Sequence, residues 1–251
     1  MSKTVLVTGV SKGIGRAIVE QLLNSDEKVK VIGIARSLND LKEMQIKLGP
    51  RFEYLCADVT DEQAVSDFLT SKASVVDAII ANAGTLSPVQ SVNEADISQW
   101  KRLFDINFFS VVSLVTRLLP QLRKSSQGDV ILVSSGASVK PYYAWGAYGA
   151  SKAALNHFAT TLASEEANVQ AVAIAPGVVD TQMQTEIRDS LGPANMTREA
   201  LKRFTDLHEK GELLSPKVPA TIYANLALKG IRAEINGKYL RYNDAQLTEY
   251  S

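Results

Sequence analysis

Short apolar runs alternate with longer amphipathic ones from one end of this chain to the other. Residues 5–7, 29–35, 52–56, 75–81, 129–135, 169–175 and 237–240 are brief and rich in Val, Ile, Leu or aromatics. Gly, Asn, Asp or Ser bound most of them, which predicts buried strands. Between them, residues 16–23, 39–48, 61–69, 97–123 and 218–228 repeat apolar positions at three- and four-residue intervals, which predicts helices. Another helix opens at Gly146, and Asn39 is the expected N-cap of the second. Strands alternating with helices predict an α/β fold.

Two segments depart from the simple pattern. Residues 97–123 carry Trp100, Leu103, Phe104, Phe108, Val111, Val112, Leu114, Val115 and Leu118, an apolar surface broad enough to be a subunit contact. Asn107 lies inside it. Asn is a poor mid-helix residue, so a local irregularity is expected there, with a freed carbonyl able to hold a water. Residues 182–216 are polar and interrupted by Gly192, Pro193 and Gly211, and are expected to form an inserted, mobile lid.

Composition narrows the function. A chain of 251 residues, 45% apolar, can bury the core of one α/β domain, and 1–251 is read as a single domain without repeats. Lys and Arg number 27 against 27 Asp and Glu, with no run of like charge, so nucleic acid is not an expected partner. No uninterrupted apolar stretch reaches eighteen residues, so no membrane span is expected. Residues 1–4 leave no room for a leader before the first strand. Cys56 is the lone cysteine, which excludes a disulfide framework and fits a reducing cytoplasm. His157 and His208 have no ligand spacing and are read as helix-surface residues, so no metal is expected.

The candidate chemistry centres on Tyr148 and Lys152. Four residues apart on a helix, their side chains share one face. A cation beside a phenol favours the phenolate, so the Tyr148 pKa is expected to fall, giving a general acid for a nascent alkoxide. The pair alone also fits an ordinary amphipathic helix. Ser135 leaves the end of the 129–135 strand thirteen positions earlier, where its hydroxyl can join Tyr148 on one carbonyl oxygen. Ser134 competes, but strand alternation points it to the other side.

Phosphate-binding chemistry sits at the start. After the first strand come Gly9, Ser11, Lys12, Gly13, Ile14 and Gly15, then a helix. Backbone amides at such a helix start point at a pyrophosphate, and the glycines let it approach. At the end of the second strand, where an NAD-binding chain carries an acid for the ribose 2′-hydroxyl, this chain has Ala35 followed by Arg36. A guanidinium suits a 2′-phosphate and Lys12 adds charge, so NADP(H) is expected over NAD(H). Asp58, followed by Val59, either accepts from the adenine amino group or caps a turn. Asn82, Ala83 and Gly84 let backbone pass close to cofactor, with Asn82 bracing neighbouring strands. Beyond Pro176, Gly177 and Val179, Thr181 either bonds a nicotinamide carboxamide or caps the next helix.

Thr8-Gly9-x-x-x-Gly13-x-Gly15, Asn82-Ala83-Gly84, Asn107, Ser135, Tyr148-x-x-x-Lys152 and Pro176-Gly177-x-x-x-Thr181, in this order, resemble the short-chain dehydrogenase/reductase family over essentially the whole chain. The resemblance implies a single-domain α/β Rossmann fold with a doubly wound parallel seven-stranded sheet. It implies Tyr148 as the acid, Lys152 holding the nicotinamide ribose and lowering the Tyr148 pKa, Ser135 orienting the carbonyl, and Asn107 holding a water in a proton relay. Residues 147–148, 163–169 and 175–184 look like the sepiapterin reductase branch, and more like benzil reductases forming (S)-benzoin. Where pterin-using relatives carry an acid, Arg241 stands here, and a cation cannot accept hydrogen bonds from a pterin edge.

The expected activity is NADPH-dependent reduction of a hydrophobic ketone or vicinal diketone to a hydroxy ketone. Tyr142, Tyr143, Trp145, Leu86 and Met183 would form an aromatic, uncharged pocket, unless they are core or lid packing. A pterin reductase and a non-catalytic NADP-binding sensor are the alternatives. A homodimer or homotetramer is the expected assembly.

Overall fold

In the computed structural model, residues 3–72 and 76–251 are described. Val75, placed at the start of the fourth strand by its pattern, and Met1 and Ser2 lie outside them. The strands are β1 (Lys3–Thr8), β2 (Val29–Ala35), β3 (Phe52–Cys56), β4 (Ala78–Ala81), β5 (Gly128–Val133), β6 (Val169–Ala175) and β7 (Tyr239–Arg241). All pair in parallel in the order β3-β2-β1-β4-β5-β6-β7, so the expected seven-stranded Rossmann sheet is present. The order reverses between β1 and β4. At that switch point the loops leaving the two strands diverge and open a crevice at their C-terminal ends.

Alternate residues of each strand feed two cores, as the pleat requires. Val5 and Val7 of β1 pack with α1 (Gly13–Ser25), α2 (Leu38–Leu48) and, later in the chain, the helix Lys217–Lys229. Leu6 faces the other way, toward α3 (Glu62–Lys72), the helix Ile97–Leu122 and α6 (Gly146–Glu165). The helix Ile97–Leu122 consists of α4 (Ile97–Phe104), a π turn (Asp105–Phe109) and α5 (Ser110–Leu122). The irregularity expected at Asn107 is therefore a π turn. By length and composition this helix would also suit a bilayer, because Lys, Arg and Asp interrupt its apolar run without lowering its mean hydropathy far. Here Val111, Leu114, Val115, Leu118 and Leu122 bury one side against the sheet. Ile97 and Phe109 stay exposed on another.

The segment expected to form an inserted lid is mostly helical. It holds α7 (Gln182–Glu186), a π turn (Ile187–Leu191), α8 (Gly192–Asn195) and α9 (Arg198–Glu209), followed after a loop by α10 (Lys217–Lys229). Thr197 caps α9 by accepting from Ala200 N–H at 3.2 Å. Leu214 is pinned to the loop after β6, donating to Val178 O at 2.9 Å and accepting from Asp180 N–H at 2.8 Å. The second helix starts at Leu38, with Ser37 rather than Asn39 before it, and Ser37 makes no side-chain cap bond.

At the opposite end of the sheet from the crevice, Asp129 is completely enclosed. Its Oδ1 accepts from Gln127 Nε2 and Ile231 N–H at 2.9 Å each, while Oδ2 has no partner. Burial pushes its carboxyl up to about 6 from 3.8. Between those values the folded chain keeps a proton that the unfolded chain has released. Stability from this group is thus full below about pH 4 and lost as pH rises through 6, by roughly 2–3 kcal/mol. Chemical denaturation at about pH 5 and 7.5 should show roughly half of this loss in the wild type, and Asp129→Asn should lack it.

Candidate active site

The crevice walls begin with backbone held by backbone. Gly9 and Gly13 take φ of 73° and 57°, in the left-handed region that glycine enters freely. Asn82, at the end of β4, donates from Nδ2 to Thr8 O at 2.9 Å and Gly9 O at 3.2 Å. Thr8 Oγ1 in turn accepts the amides of Asn82 and Ala83 at 3.0 Å each. The expected bracing role of Asn82 is thus met: it locks the two switch-point strands together. Gly15 lies behind the loop, where a Cβ would come 2.2 Å from Gly9 O and 2.6 Å from Asn82 Nδ2. Its role is close packing of helix on loop.

At the end of β5 stand the candidate side chains for the chemistry. Ser135 caps a short 3₁₀ turn (Gly136–Ser138), its Oγ accepting from Ala137 N–H at 3.1 Å. The same hydroxyl and the Tyr148 phenol line one crevice, and Ser135 acts to favour the ionised phenol. Ser134 donates to Asn156 Oδ1 at 2.6 Å, so the two serines have different partners, although both lie past the end of β5, where alternation no longer applies. Tyr148 sits in the first turn of α6 and Lys152 one turn on. Gly149 lets the helix approach, because a Cβ there would lie 2.8 Å from Ala137 O.

Lys152 Nζ donates to Val133 O at 2.7 Å and lies 5.8 Å from the centre of the Tyr148 ring. Burial lowers its pKa to about 8. The expected depression of the Tyr148 pKa by Lys152 is not met among the protein's own groups. Burial raises it instead, with only the Ser135 hydrogen bond acting in the other direction. The ammonium is held by a carbonyl rather than by the phenol oxygen.

Asn107 is fully buried and does not border the crevice. Its Oδ1 accepts from Thr85 N–H at 2.8 Å, and its Nδ2 donates to Thr85 O at 2.9 Å and Ser151 Oγ at 3.1 Å. Ser151 donates to Tyr148 O at 2.8 Å, so the π turn is tied to the first turn of α6. Thr85 and Ser151 carry no sequence signal of this.

The crevice has a volume of about 770 Å³ and runs from Arg36 and Asp58 past Ser11, Lys12, Ile14, Val59, Ala83 and Gly84 to Tyr148, Lys152, Pro176, Gly177, Val179 and Thr181. Its size and lining fit a dinucleotide. The start of α1 has no side-chain cap, leaving its first amides for a phosphate, and the glycines leave room for one. Arg36 is extended and largely exposed, with its guanidinium 3.7 Å from Asp58 Oδ2. Burial pushes the Asp58 carboxyl up, but two Thr60 hydrogen bonds and the charges of Arg36 and Arg102 leave it below the usual range. Lys12 donates across the crevice to Gln182 Oε1. Thr181 precedes α7 but its hydroxyl makes no cap bond, donating weakly to Val179 O at 3.3 Å. The capping alternative for Thr181 is therefore set aside.

Beyond Tyr148 the wall is aromatic. Trp145 stacks against Tyr142, with centroids 5.0 Å apart, and against Phe204 of α9, at 5.2 Å, the latter two being 6.1 Å apart, and sets its edge against Tyr148 at 5.7 Å. Met183 borders the same space. Tyr143 does not: it is 48% exposed, since the turn that aims Tyr142 inward faces its neighbour outward. Leu86 is buried behind the wall rather than on it. The lining is also not uncharged, because Lys140, Arg203 and Arg241 stand exposed at the rim. Phe204 and Gln184, which complete this end, escaped the sequence reading because they lie in the segment read as a lid.

Fold and site together define an oxidoreductase, and the chain belongs to the short chain dehydrogenase family, whose model matches residues 3–192. It is 51% identical to Benzil reductase ((S)-benzoin forming) IRC24 of Saccharomyces cerevisiae, over 98% of each chain. It is 36% identical to Benzil reductase ((S)-benzoin forming) of Bacillus cereus, over 88% of this chain and 92% of that one. The crystal structure of the YIR035C short chain dehydrogenase/reductase from Saccharomyces cerevisiae superposes with a TM-score of 0.97 at 50% identity, over 99% of both chains.

Gly15→Ala should displace Gly9 and Asn82 and weaken any dinucleotide binding in the crevice at least about tenfold, measured by fluorescence titration with NADPH as the probe. Binding as tight as in the wild type would show that the loop does not hold phosphate.

Proposed function

We propose that the protein is an NADPH-dependent carbonyl reductase that converts a hydrophobic ketone or benzil-type vicinal diketone to a hydroxy ketone. The observation that carries this reading is the convergence of Ser135, Tyr148 and the enclosed Lys152 on one wall, at the strand end that opens into the dinucleotide-sized crevice. NADPH supplies the hydride when bound. Ser135 donates to the carbonyl oxygen and orients it. Tyr148 donates to the same oxygen and releases its proton as negative charge develops there. Burial supports that role, since it keeps the phenol protonated at neutral pH. Lys152 holds the nicotinamide ribose, and the backbone carbonyl of Asn107 holds the water that relays a proton to Lys152. Gly84 supports the relay, because its Cα is flanked by both Asn107 and Lys152 side chains.

Arg36 and Lys12 meet the 2′-phosphate, Asp58 the adenine amino group, and Thr181 the nicotinamide carboxamide. The stacked Tyr142, Trp145 and Phe204 rings support an aromatic substrate. The rim cations lie in water, where screening weakens any demand for an anion. Arg241 on that rim counts against a pterin, and the complete set of reacting side chains counts against a sensor. The exposed Ile97 and Phe109 face supports pairing with a second copy of the chain.

Tyr148→Phe should bind NADPH like the wild type and lose about 10²–10⁴ in turnover of benzil, followed by NADPH absorbance. Comparable turnover would refute the acid role, and faster turnover of sepiapterin than of benzil would refute the substrate class. Arg36→Ala should cut the preference for NADPH over NADH by roughly ten- to a hundredfold in kcat/KM. An unchanged ratio would remove Arg36 from the 2′-phosphate.

A further inference from the structure

We infer that Asn156 is a positioning residue that fixes Ser135 against Tyr148; this rests on the reading of Ser135 as the group that orients the carbonyl. Asn156 stands one turn beyond Lys152 and two beyond Tyr148 on α6, on the same face. Its Oδ1 accepts from Ser134 Oγ at 2.6 Å, and its Nδ2 donates to Ser138 Oγ at 2.8 Å. The Ser138 hydroxyl donates onward to the Ser135 carbonyl at 2.6 Å, which also accepts from the Tyr239 hydroxyl at 3.3 Å. One carboxamide therefore grips the residue before Ser135 and, through Ser138, the backbone of Ser135 itself.

The direction of this chain is forced by its last member. A carbonyl only accepts, so Ser138 must commit its proton to Ser135, and its oxygen is then left to accept from Asn156 Nδ2. That turns Asn156 Oδ1 toward Ser134, which donates. The assignment of oxygen and nitrogen follows from the network, and a side chain that only accepts cannot complete it.

Ser135 needs such a grip because the strand has already ended. β5 stops at Val133, and Ser134 N–H donating to Ile174 O at 2.9 Å is the last bond to the neighbouring strand. Beyond it the chain turns into the 3₁₀ segment, where no ladder restrains the serine. Loss of the Asn156 link would let the hydroxyl swing away from the oxygen it shares with Tyr148, leaving NADPH binding untouched.

The test uses Asn156→Ala, Asn156→Asp, Ser138→Ala and the double variant Asn156→Ala/Ser138→Ala. Two readouts are taken: hydrogen exchange of residues 134–140 by mass spectrometry, and steady-state NADPH oxidation with benzil. Each single variant should speed exchange in that segment roughly tenfold and lower kcat roughly tenfold, with KM for NADPH within about twofold. The double variant should be no worse than either single, because both remove links of one chain. Asn156→Asp should match Asn156→Ala, since it keeps the acceptor and loses the donor. Unchanged exchange, wild-type kcat, additive losses in the double variant or wild-type behaviour of Asn156→Asp would each overturn the inference. Should Asn156→Asp fail to fold, Ser138→Ala decides the matter by the same two readouts. A wild-type protein inert toward every carbonyl would instead refute the role of Ser135, while the exchange readout still decides whether Asn156 holds it.

Discussion

One helix clasping the end of one strand is the constraint on which the site depends. Successive turns of α6 face the last residues of β5 and those just after it: Tyr148 shares the crevice wall with Ser135, Lys152 donates to Val133 O, and Asn156 accepts from Ser134. Two donors stabilise a developing oxyanion only if both reach the same point in space. Here that condition becomes a matter of helix register. Sliding α6 by one residue would turn its face by about 100° and undo all three placements together. Gly149 makes the register possible, since a larger residue would push the helix off the 3₁₀ turn that carries Ala137.

The two halves of the crevice are built by different means. Around Gly9 the restraint is backbone held by the Asn82 and Thr8 side chains, so shape rather than side-chain chemistry is conveyed to whatever lies on the loop. Around Tyr148 the restraint is side chain on side chain, and small changes of residue redirect chemistry. The π turn at Asp105–Phe109 joins the halves. Asn107 holds Thr85, just past the Asn82-Ala83-Gly84 loop, and Ser151, inside α6, with one carboxamide. A chain of zero formal charge thereby gathers Lys12, Arg36, Arg102 and Lys152 along one cleft. That is a local segregation of charge invisible in the overall composition.

What the sequence made legible were features with local rules. Strands β1, β2, β3 and β6 follow from runs of β-branched and aliphatic residues, and the start of α6 at Gly146 follows from the Tyr148 and Lys152 spacing. What stayed hidden depends on contacts between distant segments. Phe204 belongs to the Trp145 stack although α9 is polar on most of its surface. Asn156 looks like any helix-surface amide until β5 is placed beneath it. Tyr143 shows the opposite failure. Being aromatic and adjacent to a pocket residue says nothing of which side of a turn it faces.

The Tyr148 pKa shows how two sound local rules compete. Spacing alone puts an ammonium one turn from a phenol, which argues for a lowered phenol pKa. The fold also encloses both groups, and burial disfavours each charged form. Burial wins because Lys152 Nζ spends its hydrogen bond on Val133 O, 5.8 Å from the ring centre, and not on the phenol oxygen. Tyr148 is raised and Lys152 lowered to about 8, so the neutral phenol is the resting form at pH 7. A site that must give a proton to an alkoxide is ready in that form. One that must take a proton from an alcohol would first have to create a buried phenolate. Burial and charge thus pull the pair in opposite senses, and burial sets its resting state.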